Sequence, residues 1–112
     1  MLCADTEAEA ERLTQSRDLW RLRLDQGHLG AVPSIVEAET YEYTREERLR
    51  IAMNRRRMVI GAPEQVKQRM IELAEHYGVE EIVAVTICHE FAPRLRSYEL
   101  LAQVFELTPR AT

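Results

Sequence analysis

The chain has 112 residues, of which 46% are hydrophobic and 30% charged, and its formal net charge is −4 at pH 7. This length allows one small hydrophobic core and excludes a complete barrel enzyme. The acidic balance argues against nucleic-acid binding, which usually requires a basic surface. No apolar run reaches the roughly 20 residues that cross a bilayer, and the first residues do not resemble a signal peptide. We therefore expect a cytoplasmic protein without membrane contact.

Residues 1–30 predict the end of a strand followed by a helix. Met1–Ala4 is apolar, and Thr6 and Glu9 have the spacing of a capping box, which predicts a helix from there to about Leu24. Gly27 and Gly30 would end this helix. The positions expected to face inward, with the arginine doing so through its alkyl stem, are Ala10, Leu13, Arg17, Trp20 and Leu24.

Residues 31–57 predict an irregular loop followed by a basic helix. A short helical turn is expected at residues 35–38, and Thr44 with Glu47 forms a second capping box that opens a helix ending near Arg55. Its arginines are Arg45, Arg48, Arg50, Arg55, Arg56 and Arg57. Nucleic-acid binding is one interpretation of this helix, but no aromatic residues are interleaved with the arginines. A solvated or inter-subunit salt-bridging face is the favoured interpretation.

Residues 58–112 predict two strand–helix units. Met58–Ile60 is a short apolar run that ends at Gly61, Pro63 then opens a helix, and Gly78 closes it. Residues 82–87 form a continuous apolar run, which is typical of a parallel strand buried on both faces. Pro93 begins the last predicted helix. The alternation of strands and helices along the chain indicates parallel strands joined by right-handed crossovers.

The sequence that follows the second predicted strand is also a motif. Residues 61–66, Gly-Ala-Pro-Glu-Gln-Val, resemble the strand–G-[TS]-P-E-x-V signature of the luciferase-like, flavin-dependent monooxygenases. Residues 77–82 are similar to that family's entry to its eighth strand, residues 94–102 to its final helix, and residues 3–10 to its sixth strand end and following helix. One departure is Ala62, where the family has Thr or Ser. The missing N-cap oxygen costs the helix about 1 kcal/mol.

The resemblance implies a fold and a chemistry. The fold would be α/β, the C-terminal part of a TIM (β/α)8 barrel holding about its last two and a half βα units. The chemistry would be that of an oxidoreductase, an FMN-dependent monooxygenase that uses reduced flavin and O2 on an organic substrate. The family's flavin-phosphate contacts and catalytic groups belong to strands that this chain lacks. We therefore expect the chain alone to be inactive and to bind no FMN.

Two places carry candidate site residues. His89 and Glu90 follow the last predicted strand, where an imidazole beside a carboxylate could transfer a proton or hold a substrate oxygen. Alternatively, they only lead into the last helix, whose N-terminus favours an acid. Gly61 would permit a cofactor to approach the backbone, although a glycine in a tight turn needs no ligand. Asp5, at the end of the first strand, is expected to share helix capping with Thr6.

The two cysteines predict neither a disulfide nor a metal site. Cys3 and Cys88 lie far apart, in or beside apolar runs, which is typical of free buried thiols in a reducing compartment. His89 is adjacent to Cys88, but no CxxC or HExxH spacing accompanies the pair. We expect no bound metal.

The predicted partial barrel also predicts self-association. The first strand and residues 82–87 would both present unpaired edges, and the inner sheet face would expose aliphatic side chains. A homo-oligomer, most simply a twofold dimer, follows from these surfaces. Met1 falls inside an apparent strand, which suggests an internal start, a disrupted larger reading frame or a deliberately expressed piece. An alternative function is therefore a non-catalytic assembly module that pairs with itself or with a complementary barrel chain.

Overall fold

A computed structural model of the protein describes residues 1–107, so residues 108–112, the end of the segment predicted as two strand–helix units, lie outside the described part. The elements in chain order are β1 (Leu2–Cys3), α1 (Glu7–Asp25), α2 (Ile35–Thr40), α3 (Arg45–Arg55), β2 (Ile60–Gly61), α4 (Pro63–Tyr77) and α5 (Phe91–Val104).

The two strands pair in parallel, with Leu2 opposite Ile60 and Cys3 opposite Gly61. The Leu2 amide donates to the Val59 carbonyl at 2.9 Å, and the Ala4 amide donates to the Gly61 carbonyl at 3.1 Å. Helices α1, α2 and α3 form the connection between the two strands. The strand pair therefore joins residues almost sixty positions apart and sets the position of α1.

Apolar side chains pack in three clusters around this frame. One lies between β1 and α1, from Leu2 to Leu13, and a second surrounds Cys3 with residues of α4 and α5. The third joins α1 to α2 through Leu19, Leu22 and Ala38. On α1, Ala10 and Leu13 are buried as predicted, whereas Trp20 and Leu24 are only partly buried.

The prediction of a partial TIM barrel is wrong. The residues that the structure describes are mostly helical, with one sheet of two strands that have two residues each. Residues 82–87, predicted as a buried strand, belong to no strand, and Val83 and Val85 are 85% and 61% exposed. An apolar run becomes a strand only when a neighbour supplies a ladder of hydrogen bonds. Here the Thr86 amide donates to the Tyr98 hydroxyl (3.1 Å) and the Val85 carbonyl accepts from the Met1 ammonium (3.1 Å).

The helix ends follow the local capping signals closely. At α3 both halves of the capping box form, because Glu47 N–H donates to Thr44 Oγ1 (3.1 Å) and Thr44 N–H donates to the Glu47 carboxylate (2.9 Å). At α1 half of the expected box forms: Thr6 Oγ1 accepts from Glu9 N–H, while the Glu9 carboxylate pairs with Arg12. At the end of α4, Gly78 adopts the left-handed conformation (φ 62°) that favours glycine.

The basic face of α3 is paired within the chain. Arg55 donates from Nε and Nη2 to Asp18 Oδ2 of α1, at 2.9 and 2.6 Å, and its Nη1 contacts Glu11. On the same helix, Arg50 Nε and Asn54 Nδ2 both donate to Asp25 Oδ2 at 3.0 Å. These contacts dock α3 on the acidic side of α1. Arg50 is nevertheless exposed, as a solvated face requires, whereas Arg55 is partly buried against α1.

The two aspartates of this contact experience opposite environments. Burial raises the pKa of Asp18, even though the hydrogen bonds from Arg55 act to lower it. Hydrogen bonds from Arg50 and Asn54 hold the pKa of Asp25 below its ordinary value. The physical difference is that Asp18 loses more hydration than Asp25.

We predict that the two carboxyls titrate on opposite sides of the ordinary aspartate pKa of about 3.9. Because the pKa of Asp25 is lowered in the folded protein, its contribution to stability is present above the unfolded-state pKa and is lost as pH falls through the folded-state pKa. Asp18 has the reverse sign, since folding favours its protonated form. NMR titration of the side-chain carboxyl carbons would measure both values.

The substitution Arg50→Met should raise the pKa of Asp25 towards its ordinary value and leave that of Asp18 largely unchanged. Arg48→Met is the matched control, because Arg48 is an exposed arginine of the same helix. An Asp25 carboxyl that titrates at or above the ordinary value in the unsubstituted chain would contradict this account of the α1–α3 contact.

Candidate functional site

A cavity of about 330 Å³ lies where β1 ends and α5 begins. The first turn of α1 contributes Glu9, the residues after β1 contribute Asp5, and the start of α5 contributes Glu90 and Arg96. Cys3 forms part of its wall. This cavity brings together two of the polar residues singled out in the sequence, Asp5 and Glu90.

Asp5 and Arg96 form the main polar contact of this cavity. Arg96 Nη2 donates to Asp5 Oδ1 at 2.8 Å, and its Nε donates to Asp5 Oδ2 at 3.3 Å. The hydrogen bond from Arg96 lowers the pKa of Asp5. Arg96 also reaches Glu99 at 3.4 Å. Thr6 therefore caps α1, as expected, while Asp5 binds a residue 91 positions away for which no local sequence signal exists.

His89 and Glu90 do not form a proton-transfer pair in this arrangement. The His89 Nδ1 lies 2.7 Å from the carbonyl oxygen of Val32. Because a carbonyl only accepts, Nδ1 carries the proton, and the ring is directed to the loop before α2. Glu90 is the N-cap residue of α5, without a side-chain capping bond, and it faces the cavity. His89 therefore contacts the loop before α2, whereas Glu90 lies at the cavity.

The side chain of Gln65, rather than a ligand, explains why position 61 is a glycine. Its φ is 155°, and a Cβ atom at this position would lie 2.7 Å from Gln65 Oε1. That oxygen accepts from the Ala62 amide at 2.9 Å, and the Gln65 Nε2 donates to Glu7 at 3.2 Å. Gln65 therefore occupies the space that a side chain at position 61 would need. It also supplies half of a capping box where Ala62 has no side-chain oxygen.

Neither cysteine has the character of a nucleophile. Cys3 is buried, and burial raises the pKa of its thiol to about 11. Burial also raises the pKa of the Cys88 thiol. Both thiols are free and are protonated at neutral pH, so they lack the thiolate that reacts. Among residues 1–107 no three His, Cys, Asp or Glu side chains are grouped as metal ligands would be.

The chain is similar to proteins of about three times its length. It is 43% identical over 105 residues to the uncharacterized protein YceB of Bacillus subtilis (strain 168), covering 94% of this chain and 32% of that protein. It is 46% identical over 106 residues to the uncharacterized protein YwcH of the same strain, again covering 94% and 32%. The chain thus spans about a third of the length of these relatives. No family model matches it.

Among solved structures, the chain is similar to apo-MsnO8, with a TM-score of 0.74 and 31% sequence identity. The match covers 96% of this chain and 33% of that one.

These findings contradict the resemblance to the luciferase-like monooxygenases. The curated relatives are uncharacterized, the matched structure is that of MsnO8, and neither supports that family. The identification as a luciferase-like, flavin-dependent oxidoreductase is corrected accordingly. With it, the expectation of FMN and O2 chemistry loses its basis.

Within the described residues, no helix has both the length and the apolar character needed to cross a membrane.

We predict that Gly61→Ala destabilises the fold by about 1–3 kcal/mol, because alanine must adopt a strained backbone conformation and displace the Gln65 side chain. Gly30→Ala is the matched control, since no atom lies within 4 Å of its added Cβ. Urea unfolding followed by circular dichroism would measure both variants. Equal stability of the two variants would show that the contact with Gln65 does not restrict position 61.

Proposed function

We propose that this chain is a non-catalytic assembly module that packs against a complementary polypeptide through residues 79–88. The observation that supports the proposal is the alternation within this segment. Ala84 packs against the cluster around Cys3 and Thr86 is buried, whereas Val83 and Val85 point outwards and are exposed. Alternation of this kind is typical of a strand with one face on a core and the other available to a partner.

The backbone of the same segment favours pairing. An extended segment outside a sheet presents N–H and C=O groups that an added strand can satisfy, and side chains on its exposed face add apolar contact. Val79, Ile82, Val83 and Val85 are all exposed. Exposed aliphatic side chains on an extended segment favour a protein-binding surface.

The lengths of the relatives favour one occupant of this surface. YceB and YwcH continue for about two thirds of their length outside the matched region. We therefore take the complementary polypeptide to be one equivalent to those two thirds. A second copy of this chain is the second candidate, since two identical exposed segments could pair about a twofold axis.

The proposal also includes a cytoplasmic location for the protein and the absence of bound FMN in the isolated chain. Both cysteines are free, which is typical of a reducing compartment, and this supports a cytoplasmic location. Gln65 fills the position at Gly61 where a cofactor was considered, and this supports a chain that binds no FMN alone. Saturable quenching of flavin fluorescence by the purified chain would overturn that part of the proposal.

The proposal predicts a complex when the chain is co-expressed with the two thirds of YwcH that lie outside the match. A 1:1 complex is expected by size exclusion with light scattering. Val83→Asp should weaken it by at least tenfold, because a charge would be placed within an apolar contact. Val36→Asp is the matched control, since Val36 is an exposed valine on α2, outside the segment.

The outcomes distinguish the occupants. A dimer of the isolated chain that Val83→Asp dissociates would support the second copy. No complex with either occupant, or one that Val36→Asp and Val83→Asp weaken equally, would overturn the proposal.

A further inference from the structure

A second cavity, of about 260 Å³, lies on the other side of β1 from the cavity at Asp5 and Arg96. Leu2, Met58, Val85 and Ile87 supply the apolar part of its wall, Thr14 and Arg17 of α1 supply polar side chains, and Met1 completes the lining. The Thr14 hydroxyl donates to the Ala10 carbonyl at 2.7 Å. Arg17 is therefore the cationic side chain of this cavity, and Met1, whose ammonium donates to the Val85 carbonyl at 3.1 Å, lines the cavity as well.

The charge of Arg17 has no direct partner in the described part of the chain. Its Nη1 atom is shielded from solvent and makes no hydrogen bond to any residue from 1 to 107. Of the two nearby aspartates, Asp25 pairs with Arg21 and Arg50. Asp18 pairs with Arg55 through Oδ2, and its Oδ1 is shielded without a partner among the described residues. Burial lowers the pKa of Arg17 from its ordinary value. A shielded guanidinium nitrogen without an acceptor is costly, and an anion would relieve that cost.

We infer that this cavity is a binding site for a carboxylate on a short aliphatic stem, with Arg17 as its anchor. The guanidinium offers the planar pair of donors that suits a carboxylate. The apolar wall suits a methylene stem. The volume lies just below the range of about 300–1,000 Å³ found for drug-sized ligands, which favours a small group.

Two sources could supply this carboxylate. One is a free short-chain acid. The other is an Asp or Glu side chain of the polypeptide that docks on residues 79–88, and this source rests on the proposed function. Val85 and Ile87 belong to the docking segment and also to the cavity wall, so a side chain from such a partner could enter.

Titration with sodium butyrate tests the first source on the intact chain. We expect the melting temperature to rise with butyrate concentration in the way that ligand linkage requires, and the Nε–Hε signal of Arg17 to shift with the same saturation. Arg17→Met should abolish both responses. Arg21→Met is the matched control, because Arg21 lies one turn further along the same helix and pairs with Asp25. Sodium chloride at equal ionic strength separates binding from screening.

The complex with the complementary polypeptide tests the second source. If a partner carboxylate occupies the cavity, Arg17→Met should shorten the lifetime of the complex by at least tenfold, while Arg21→Met should not.

The inference is overturned if butyrate affects Arg17→Met and the unsubstituted chain alike, or affects neither, and if Arg17→Met leaves the complex unchanged. Should no complex form, the proposed function fails, and the butyrate titration alone decides whether the cavity binds a carboxylate.

Discussion

The fold depends on the hydrogen bonds made by β1, a strand of two residues. Along one edge it pairs with β2, which closes a loop of almost sixty residues. Within the same strand, the Cys3 amide donates to the hydroxyl of Ser97 on α5 at 3.0 Å. Cys3 therefore lies between the two C-terminal helices and α1, and its side chain packs with Val66, Leu100 and Leu101. Such long-range contacts must offset a large loop-closure entropy, and burial of this cluster supplies the compensation.

The position of β1 also divides the polar chemistry of the molecule in two. At its carboxyl end, Asp5 neutralises Arg96, and Glu9 and Glu90 add two further acids at the cavity. At its amino end, Arg17 borders a second cavity, and its Nη1 atom has no acceptor among residues 1–107. An arginine that is already paired contributes to the fold, whereas an unpaired and shielded one favours a ligand. The sequence analysis singled out Asp5 and Glu90 at the carboxyl end, whereas the structure singles out Arg17 at the amino end.

Features determined within four residues could be predicted from the sequence. The capping box of Thr44 and Glu47, and Gly78 at the end of α4, all formed as expected. Features that need a distant partner could not. The apolar run at residues 82–87 indicated burial but not the neighbour that a strand requires. Asp5 and Arg96 are 91 positions apart. The motif at Gly61 suggested a family that the comparisons contradict, although the glycine itself is explained by Gln65.

Docking and carboxylate binding would be coupled if both occur. Val85 and Ile87 line the Arg17 cavity, and Val85 also belongs to the outward face of the docking segment. A polypeptide laid along this segment would exclude water from the cavity mouth, and the attraction between a guanidinium and a carboxylate grows as the local dielectric constant falls. Thermodynamic linkage then requires that a bound carboxylate strengthen docking by the same factor by which docking strengthens carboxylate binding. An unpaired arginine beside an exposed strand-like segment is therefore consistent with one assembly surface rather than two unrelated defects of a small fold.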